Sequence, residues 1–274
     1  MKKIIFLVLS ILCSFNLSAQ DSLATDSVQP SRTARREFSA AKIENATKAQ
    51  GDSAYIRNDF ASAIQIYESL IETKGLAAEV YYNLGNSYYK IGNMARAILN
   101  YERALLLNPG DSDIRSNLEI ARSKTVDKVD AAPELFFVTW TNSLINCMGA
   151  DAWAKCGVSS FILLIVALYF FIFSKKIILK KIGFIASISL LVILVLSNMF
   201  AAHQKDRLIN RSDAIIMTPS VTVKSTPNES GTDLFIIHEG RKVSIKDNSM
   251  KEWKEIKLED GNVGWIKAAD LEVI

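Results

Sequence analysis

A block of about 34 residues occurs twice in succession upstream of Pro109, and this recurrence constrains the fold more than any other feature. The matching pairs are Gly51 with Gly85, Ala63 with Ala97 and Tyr67 with Tyr101. Repeats of this length are usually one supersecondary unit that cannot bury its own apolar face and therefore stacks on its neighbours. Small residues at these positions let two helices approach closely. The chain is expected to contain a short stack of helical hairpins.

The second block carries a signature that resembles the tetratricopeptide repeat (TPR), with Tyr in place of the usual Trp and Phe. The residues that carry it are Tyr81, Leu84, Gly85, Tyr88, Ala97, Tyr101 and Pro109. We interpret these aromatic and small residues as core, because they recur at the spacing of one buried helix face. In the first block Thr47 and Gln50 replace the leading Tyr and Leu, which either weakens its opening turn or marks a terminal repeat.

Residues 111–126 add one amphipathic helix, with Ile114, Leu118 and Ala121 on a single stripe. We expect this helix to close the stack. The sequence therefore predicts an all-α TPR domain over residues 41–130, made of two repeats and a capping helix.

The TPR resemblance implies a peptide-binding groove on the concave face of the first helix of each repeat. The positions concerned are Lys48, Asp52, Tyr55, Tyr82, Asn86, Tyr89 and Lys90. Tyrosine rings give contact area at low entropic cost, and an amide can bond the backbone of an extended partner. A solvated helix face is the alternative interpretation of these seven residues.

The N-terminus has the pattern of a secretory signal peptide over residues 1–19. Lys2 and Lys3 precede an apolar run, and Ala19 offers a small residue before a cut. Leu17 is larger than cleavage sites prefer, so an uncleaved anchor is the alternative. Residues 20–40 are polar without an apolar period and are predicted to form a disordered leader.

Two uncharged runs, residues 156–173 and 182–202, are each about long enough to cross a hydrocarbon core of roughly 30 Å. The loop between them, residues 174–181, has four lysines and no acid, and such loops stay on the cytoplasmic side. This predicts a two-span hairpin in the inner (cytoplasmic) membrane of a bacterium, with the regions before and after it on the periplasmic side.

The segments that flank this hairpin have different compositions. Residues 131–155 are rich in aromatic side chains and predict an interfacial segment in contact with the lipid bilayer, or else a packed hinge. Residues 203–214 are expected to be a linker. Cys147 and Cys156 would lie about 13 Å apart on one continuous helix, so a disulfide between them requires a break near Gly149.

Residues 215–274 change to short β-prone runs. Five strands are predicted, at residues 221–224, 233–238, 241–246, 253–258 and 263–267. The run 221–227, Trp253 and Gly264-Trp265-Ile266 resemble a bacterial SH3-like barrel. In that family Trp253 and Trp265 either pack in the core or contact a ligand in a shallow groove.

The order of these parts resembles the TPR-containing, BatE-type branch of the Bacteroides aerotolerance (Bat) family. Residues 113–118 and the Phe136-Phe137-x2-Trp140 stretch add to the likeness. The resemblance implies a membrane-bound scaffold that acts beside von Willebrand A-type Bat proteins, and indirectly a MoxR-type ATPase, in aerotolerance or oxidative-stress resistance.

Other function classes have little support in the sequence. The formal charge is +3 and part of the basic excess lies in the signal and the lysine loop, so nucleic-acid binding is not predicted. There is no Gly-rich phosphate loop, Gly-x-Ser-x-Gly or His-Glu-x2-His motif, and with only two histidines, His203 and His238, neither a metal site nor a cofactor is expected. Two non-enzymatic hypotheses remain: a TPR adaptor that binds a polypeptide, and an envelope-anchoring protein that binds peptidoglycan through the SH3-like domain.

Overall fold

The computed structural model describes residues 46–128 and 135–274. The chain divides into two compact units, Met1–Ala40 and Ala41–Ile274, and every described residue belongs to the second. The predicted signal peptide and leader lie outside the described residues.

Five helices form the first part of the described chain. They are α1 (Lys48–Ile56), α2 (Phe60–Lys74), α3 (Ala78–Lys90), α4 (Met94–Leu107) and α5 (Ser112–Ser123). Side-chain oxygens of Asp59, Asn93 and Asp111 accept hydrogen bonds from backbone N–H groups in the first turns of α2, α4 and α5. Two helical hairpins and a closing helix are present in the predicted order.

Helix α1, which begins the first repeat, is capped at its N-terminal end. The Thr47 hydroxyl accepts from the backbone N–H of Gln50, and the Gln50 side chain accepts from the backbone N–H of Thr47 at 3.0 Å. This reciprocal pair is a capping box, which satisfies two helix-end donors. The two residues that depart from the TPR signature therefore cap α1 and do not weaken its opening turn.

Each hairpin closes around a glycine and a tyrosine. The ring of Tyr67 lies over Gly51 and the ring of Tyr101 lies over Gly85, and both tyrosines are fully buried. A Cβ on Gly85 would come within 2.7 Å of the Tyr101 ring. Only glycine permits this approach, which is why the pair recurs at the repeat period.

Three further helices follow: α6 (Phe136–Ile145), α7 (Ala150–Phe173) and α8 (Ile177–Ile209). By length and composition α7 and α8 could each cross a membrane. They pack on each other through small buried residues, whereas most of their large apolar side chains are exposed. The small residues of the buried set, which also includes Trp153 and Gln204, are Gly157, Ser160, Ala167, Gly183, Ser187 and Ser197. Small residues let helix backbones approach closely in apolar surroundings.

The boundaries of these helices differ from the predicted spans. Helix α8 begins at Ile177, inside the expected basic loop, so only residues 174–176 separate it from α7. It also continues to Ile209 and the first strand begins at Asp213, so most of the expected linker is helical. The apolar runs alone did not reveal these ends because the helix continues on both sides with polar residues.

The C-terminal region is one antiparallel sheet of seven strands in the order β3-β2-β6-β5-β4-β1-β7. The strands are β1 (Asp213–Ile216), β2 (Ser220–Lys224), β3 (Asp233–His238), β4 (Lys242–Asp247), β5 (Trp253–Lys257), β6 (Val263–Lys267) and β7 (Leu271–Val273). The five predicted strands are present as β2 to β6.

The expectation of a closed SH3-like barrel is wrong. The sheet is open, with β3 and β7 at its two edges. The missed strands β1 and β7 extend the far side of the sheet, where Ile215 and Ile274 join the helical core. Ala214 and Ile216 of β1 and Leu271 of β7 pack in the sheet's own core. Among the described strands β7 pairs with β1 alone, so the sheet does not return to β3.

Charged side chains reinforce this contact between sheet and helices. Glu102 of α4 is 6% exposed and pairs with Arg122 and with Lys242, whose Nζ lies 3.0 Å from it. Burial lowers the pKa of Lys242, but the carboxylates of Glu102 and Asp213 outweigh burial and raise it. On α4 the neighbouring Arg103 donates to Glu272 at 3.0 Å. The sheet thus covers the α4 side of the second repeat.

Candidate partner-binding site

The predicted groove residues lie on the first helices of the repeats, away from the helix that the sheet covers. Asp52 of α1 is the centre of the first junction. Its Oδ1 accepts from the Tyr67 hydroxyl at 2.7 Å and from Asn83 Nδ2 at 2.9 Å, and its Oδ2 lies 3.0 Å from Lys48 Nζ. Asp52 therefore joins both helices of its own repeat to the first helix of the next.

Asn86 of α3 occupies the equivalent place in the second repeat. Its Oδ1 accepts from the Tyr101 hydroxyl at 2.7 Å and from Asn117 Nδ2 at 3.0 Å. Asn117 also donates to the Tyr82 hydroxyl at 2.9 Å. The contact between α5 and the second repeat therefore has the same hydrogen-bond pattern as the contact between the second repeat and the first.

Both junctions use the same side-chain positions, shifted by one repeat. Asn83 and Asn117, like Tyr67 and Tyr101, are 34 residues apart in the sequence. The sequence reasoning identified the acceptors Asp52 and Asn86 but missed the two asparagines that donate to them. Extending the 34-residue comparison into α5 would have paired Asn83 with Asn117, and would have identified α5 as the first helix of a third, incomplete repeat.

The remaining predicted residues complete a mixed polar and aromatic face. Tyr55 is half-buried and meets Phe60 edge to face at 5.3 Å between ring centroids. Tyr89 is half-buried with Lys124 Nζ 4.2 Å from its ring centroid, a cation–π geometry. Lys90 is exposed. This face is neither a sealed core nor a fully solvated helix surface.

At neutral pH the tyrosine hydroxyls of this face can act as hydrogen-bond donors. Burial raises the pKa of Tyr55 and of Tyr82, so both hydroxyls remain protonated. Burial also acts to raise the pKa of Asp52, but hydrogen bonds from Tyr67 and Lys48 outweigh it and hold the pKa below its usual range. The face therefore presents neutral hydroxyls beside one ionised carboxylate.

Trp253 and Trp265 lie on the outer face of the sheet. Trp265 pairs with Glu255 across β5 and β6, whereas the buried Ile256 pairs with Gly264. Side chains alternate along a strand, so both tryptophans point away from the Ile256 side. Each is half-buried. The structure brings the two predicted residues to one face and does not join them to the TPR residues.

Cys147 and Cys156, the two cysteines within the described residues, are both free. Helix α6 ends at Ile145 and α7 begins at Ala150, so the chain does break near Gly149. Within residues 46–128 and 135–274, no group of three or more His, Cys, Asp or Glu side chains is placed to hold a metal ion.

Comparison with known proteins defines the class of the helical region. The family model of the tetratricopeptide repeat matches residues 78–111, which is the second repeat and the turn after it. No curated protein matches the chain. The chain thus contains a TPR repeat within a helical stack, and TPR stacks provide extended concave surfaces for binding other polypeptides.

Proposed function

We propose that the protein is a non-enzymatic, membrane-anchored adaptor whose TPR face binds a partner polypeptide. The observation that carries the proposal is the placement of the sheet on α4, which leaves the face formed by α1, α3 and α5 uncovered by the described residues. Half-buried rings beside polar groups suit an extended peptide, because rings supply area and the polar groups bond its backbone.

Membrane anchoring is supported by α7 and α8. Their apolar side chains are exposed, as expected for helices whose solvent is lipid. The lysines at 175, 176, 180 and 181 surround the turn between them, and this charge bias favours a cytoplasmic turn. The TPR stack and the sheet would then lie on the periplasmic side of the inner membrane.

The partners that we propose come from the Bat-family resemblance. They are von Willebrand A-type membrane proteins of that family and, through them, a MoxR-type ATPase. The adaptor would hold such an envelope complex together and so contribute to aerotolerance or oxidative-stress resistance.

A pair of matched variants tests the proposal. Tyr89→Ser with Lys90→Glu alters the uncovered face without touching the Asp52 or Asn86 junctions. Glu72→Lys makes the same size of charge change at an exposed position on α2. The full chain is extracted in mild detergent and purified from its own host, and co-purifying proteins are quantified.

The amount of partner that co-purifies with the Tyr89→Ser, Lys90→Glu double variant is expected to fall about tenfold. This is the typical effect of removing a central aromatic contact. Glu72→Lys should retain them. If both variants retain their partners equally and their thermal stability is unchanged, the TPR face is not the partner-binding surface.

Peptidoglycan binding is the second candidate, and one observation favours it: Trp253 and Trp265 share the outer face of the sheet. Co-sedimentation of the detergent-solubilised full chain with purified wall material tests it. Loss of sedimentation in Trp265→Ala, with the fold intact by circular dichroism, would support this candidate.

A further inference from the structure

A cavity of about 800 Å³ lies where four parts of the chain meet. Its walls come from α4 and α5, from α6 and the turn after it, from the end of α8, and from the sheet through β1, β4 and the turn after β5. Ligand sites commonly have this size and occur where separate structural units meet. The cavity is separate from the TPR face, since none of the seven predicted groove residues lines it.

The cavity wall contains charges of both signs that form no ion pair with any described residue. Glu102, Arg122, Asp213 and Lys242 are joined in one ion-pair cluster. The other wall charges are Arg115, Arg207, Arg211, Glu119 and Glu259, and none of them has an ion pair among the described residues. Arg115 and Arg211 donate only to backbone carbonyls. A wall with free cations and free carboxylates is complementary to a ligand that itself carries both signs.

Two side-chain amides at the cavity wall also have unused acceptors. Gln204 is 6% exposed, and its Nε2 donates to the carbonyls of Ile145 and Met148 at 2.6 and 2.7 Å. Its Oε1 has no partner among the described residues, and the same holds for Oδ1 of Asn146. A buried acceptor without a donor costs about 1–3 kcal/mol. Donors on a ligand, reached by small side-chain rotations, would relieve this cost.

The position of the cavity along α8 selects the class of ligand. The uncharged run of α8 ends at Ala202, and Arg207 lies five residues beyond it. At 1.5 Å per residue this is about 7 Å along the helix axis. The headgroup layer on each side of a bilayer is about 5–8 Å thick. If α8 spans the membrane, Gln204 and Arg207 lie at the depth of lipid phosphates.

We propose that this cavity binds the headgroup of a phospholipid that carries a phosphate and a primary ammonium. Arg207 and Arg211 contact the phosphate, and Glu259 with the Gln204 amide oxygen receives the ammonium. Arginine is suited to phosphate because its planar guanidinium presents several N–H donors at once. The inference rests on the membrane placement in the proposed function.

Native mass spectrometry of the detergent-solubilised full chain tests the site. The probes are dioleoylphosphatidylethanolamine, its trimethylammonium analogue dioleoylphosphatidylcholine, dioleoylglycerol, and soluble O-phosphoethanolamine. The ethanolamine lipid should bind about tenfold tighter than the choline lipid, because the quaternary ammonium cannot donate hydrogen bonds. Dioleoylglycerol and soluble phosphoethanolamine should bind far more weakly.

Variants on the cavity wall separate the two halves of the site. Arg207→Gln should weaken binding of both phospholipids about tenfold, and Glu259→Gln should remove the preference for the ethanolamine lipid. Lys205→Gln is the matched control, because Lys205 is exposed on the same turn of α8 but does not line the cavity. Circular dichroism without lipid checks that each variant is folded.

Three outcomes overturn the proposal: equal binding of all three lipids, equal loss in Lys205→Gln and Arg207→Gln, or binding of soluble phosphoethanolamine without binding of the lipid. Carbonate extraction of cell membranes tests the membrane placement separately. If the protein is recovered in the membrane pellet but native mass spectrometry shows no lipid preference, only the headgroup site is contradicted. Recovery in the soluble fraction would defeat the proposed anchoring.

Discussion

The two repeat junctions have the same geometry but different chemistry at their centres. In the first, an ionised Asp52 accepts from Tyr67 and Asn83 and pairs with Lys48. In the second, the neutral Asn86 accepts from Tyr101 and Asn117. Among the described residues the first repeat has one neighbouring repeat, whereas the second also contacts α5 and the sheet.

The two repeats thus share the position of the hydrogen-bond acceptor but not its charge. Hydrogen bonds to a charged acceptor are stronger than those to a neutral one. We therefore expect the terminal repeat, which has fewer packing contacts, to depend on the charge of Asp52 more than the inner repeat depends on Asn86.

The largest effect is expected from truncating the buried tyrosines. Tyr67→Ala and Tyr101→Ala should each cost about 3–5 kcal/mol, because both side chains are fully buried. Tyr67→Ala should raise hydrogen exchange in α1 and α2 only, since a terminal repeat can open by itself. Tyr101→Ala should raise exchange through the helical stack and the sheet. Hydrogen exchange is measured by mass spectrometry. If both variants raise exchange in the same residues, the first repeat does not open independently of the second.

A smaller effect is expected from removing only the hydroxyl groups. Tyr67→Phe removes a hydrogen bond to a carboxylate and should cost about 2 kcal/mol, whereas Tyr101→Phe removes one to a neutral amide and should cost about 1 kcal/mol. Denaturant unfolding followed by circular dichroism gives both values. If the order were reversed, charge at residue 52 would not strengthen the first junction.

The smallest effect concerns pH. The pKa of Asp52 is lowered in the folded protein, so its stabilising contribution is fully present above the unfolded value of about 4 and is lost as pH falls through the folded value. The free energy of unfolding of the wild type should therefore decrease by up to about 1 kcal/mol more than that of Asp52→Asn between pH 7 and pH 3, since the pair is partly exposed.

Asp52→Asn makes the first junction resemble the second, which provides the control within the same chain. Parallel pH profiles for wild type and variant would show that Asp52 ionisation does not stabilise the first junction.

Much of the helical region could be predicted because its signals are local and periodic. Gly51, Gly85, Tyr67 and Tyr101 recur at one period, and the structure confirms their packing in pairs. The donors Asn83 and Asn117 share the same period, but that they donate to Asp52 and Asn86 depends on contacts between helices.

The C-terminal region shows the opposite balance. Alternation and turn residues located the strands β2 to β6, but β1 and β7 are short and were missed. Only Ile215 of β1 and Ile274, just after β7, join the helical core, and nothing within residues 213–216 or 271–273 alone indicates an open sheet in place of a barrel.

A TPR repeat, the helical hairpins around it, two helices apolar enough for a membrane, and most of the strands could all be predicted from local sequence patterns. These follow from periodicity, helix caps and hydropathy, which act over a few neighbouring residues. Three features became visible only in the folded chain: the sheet is open and lies on α4, Asp52 and Asn86 connect successive repeats, and arginines and carboxylates without ion pairs among the described residues line one cavity. Those features depend on contacts between residues that are up to 170 positions apart, and no local pattern encodes which distant side chain completes a core or satisfies a buried charge.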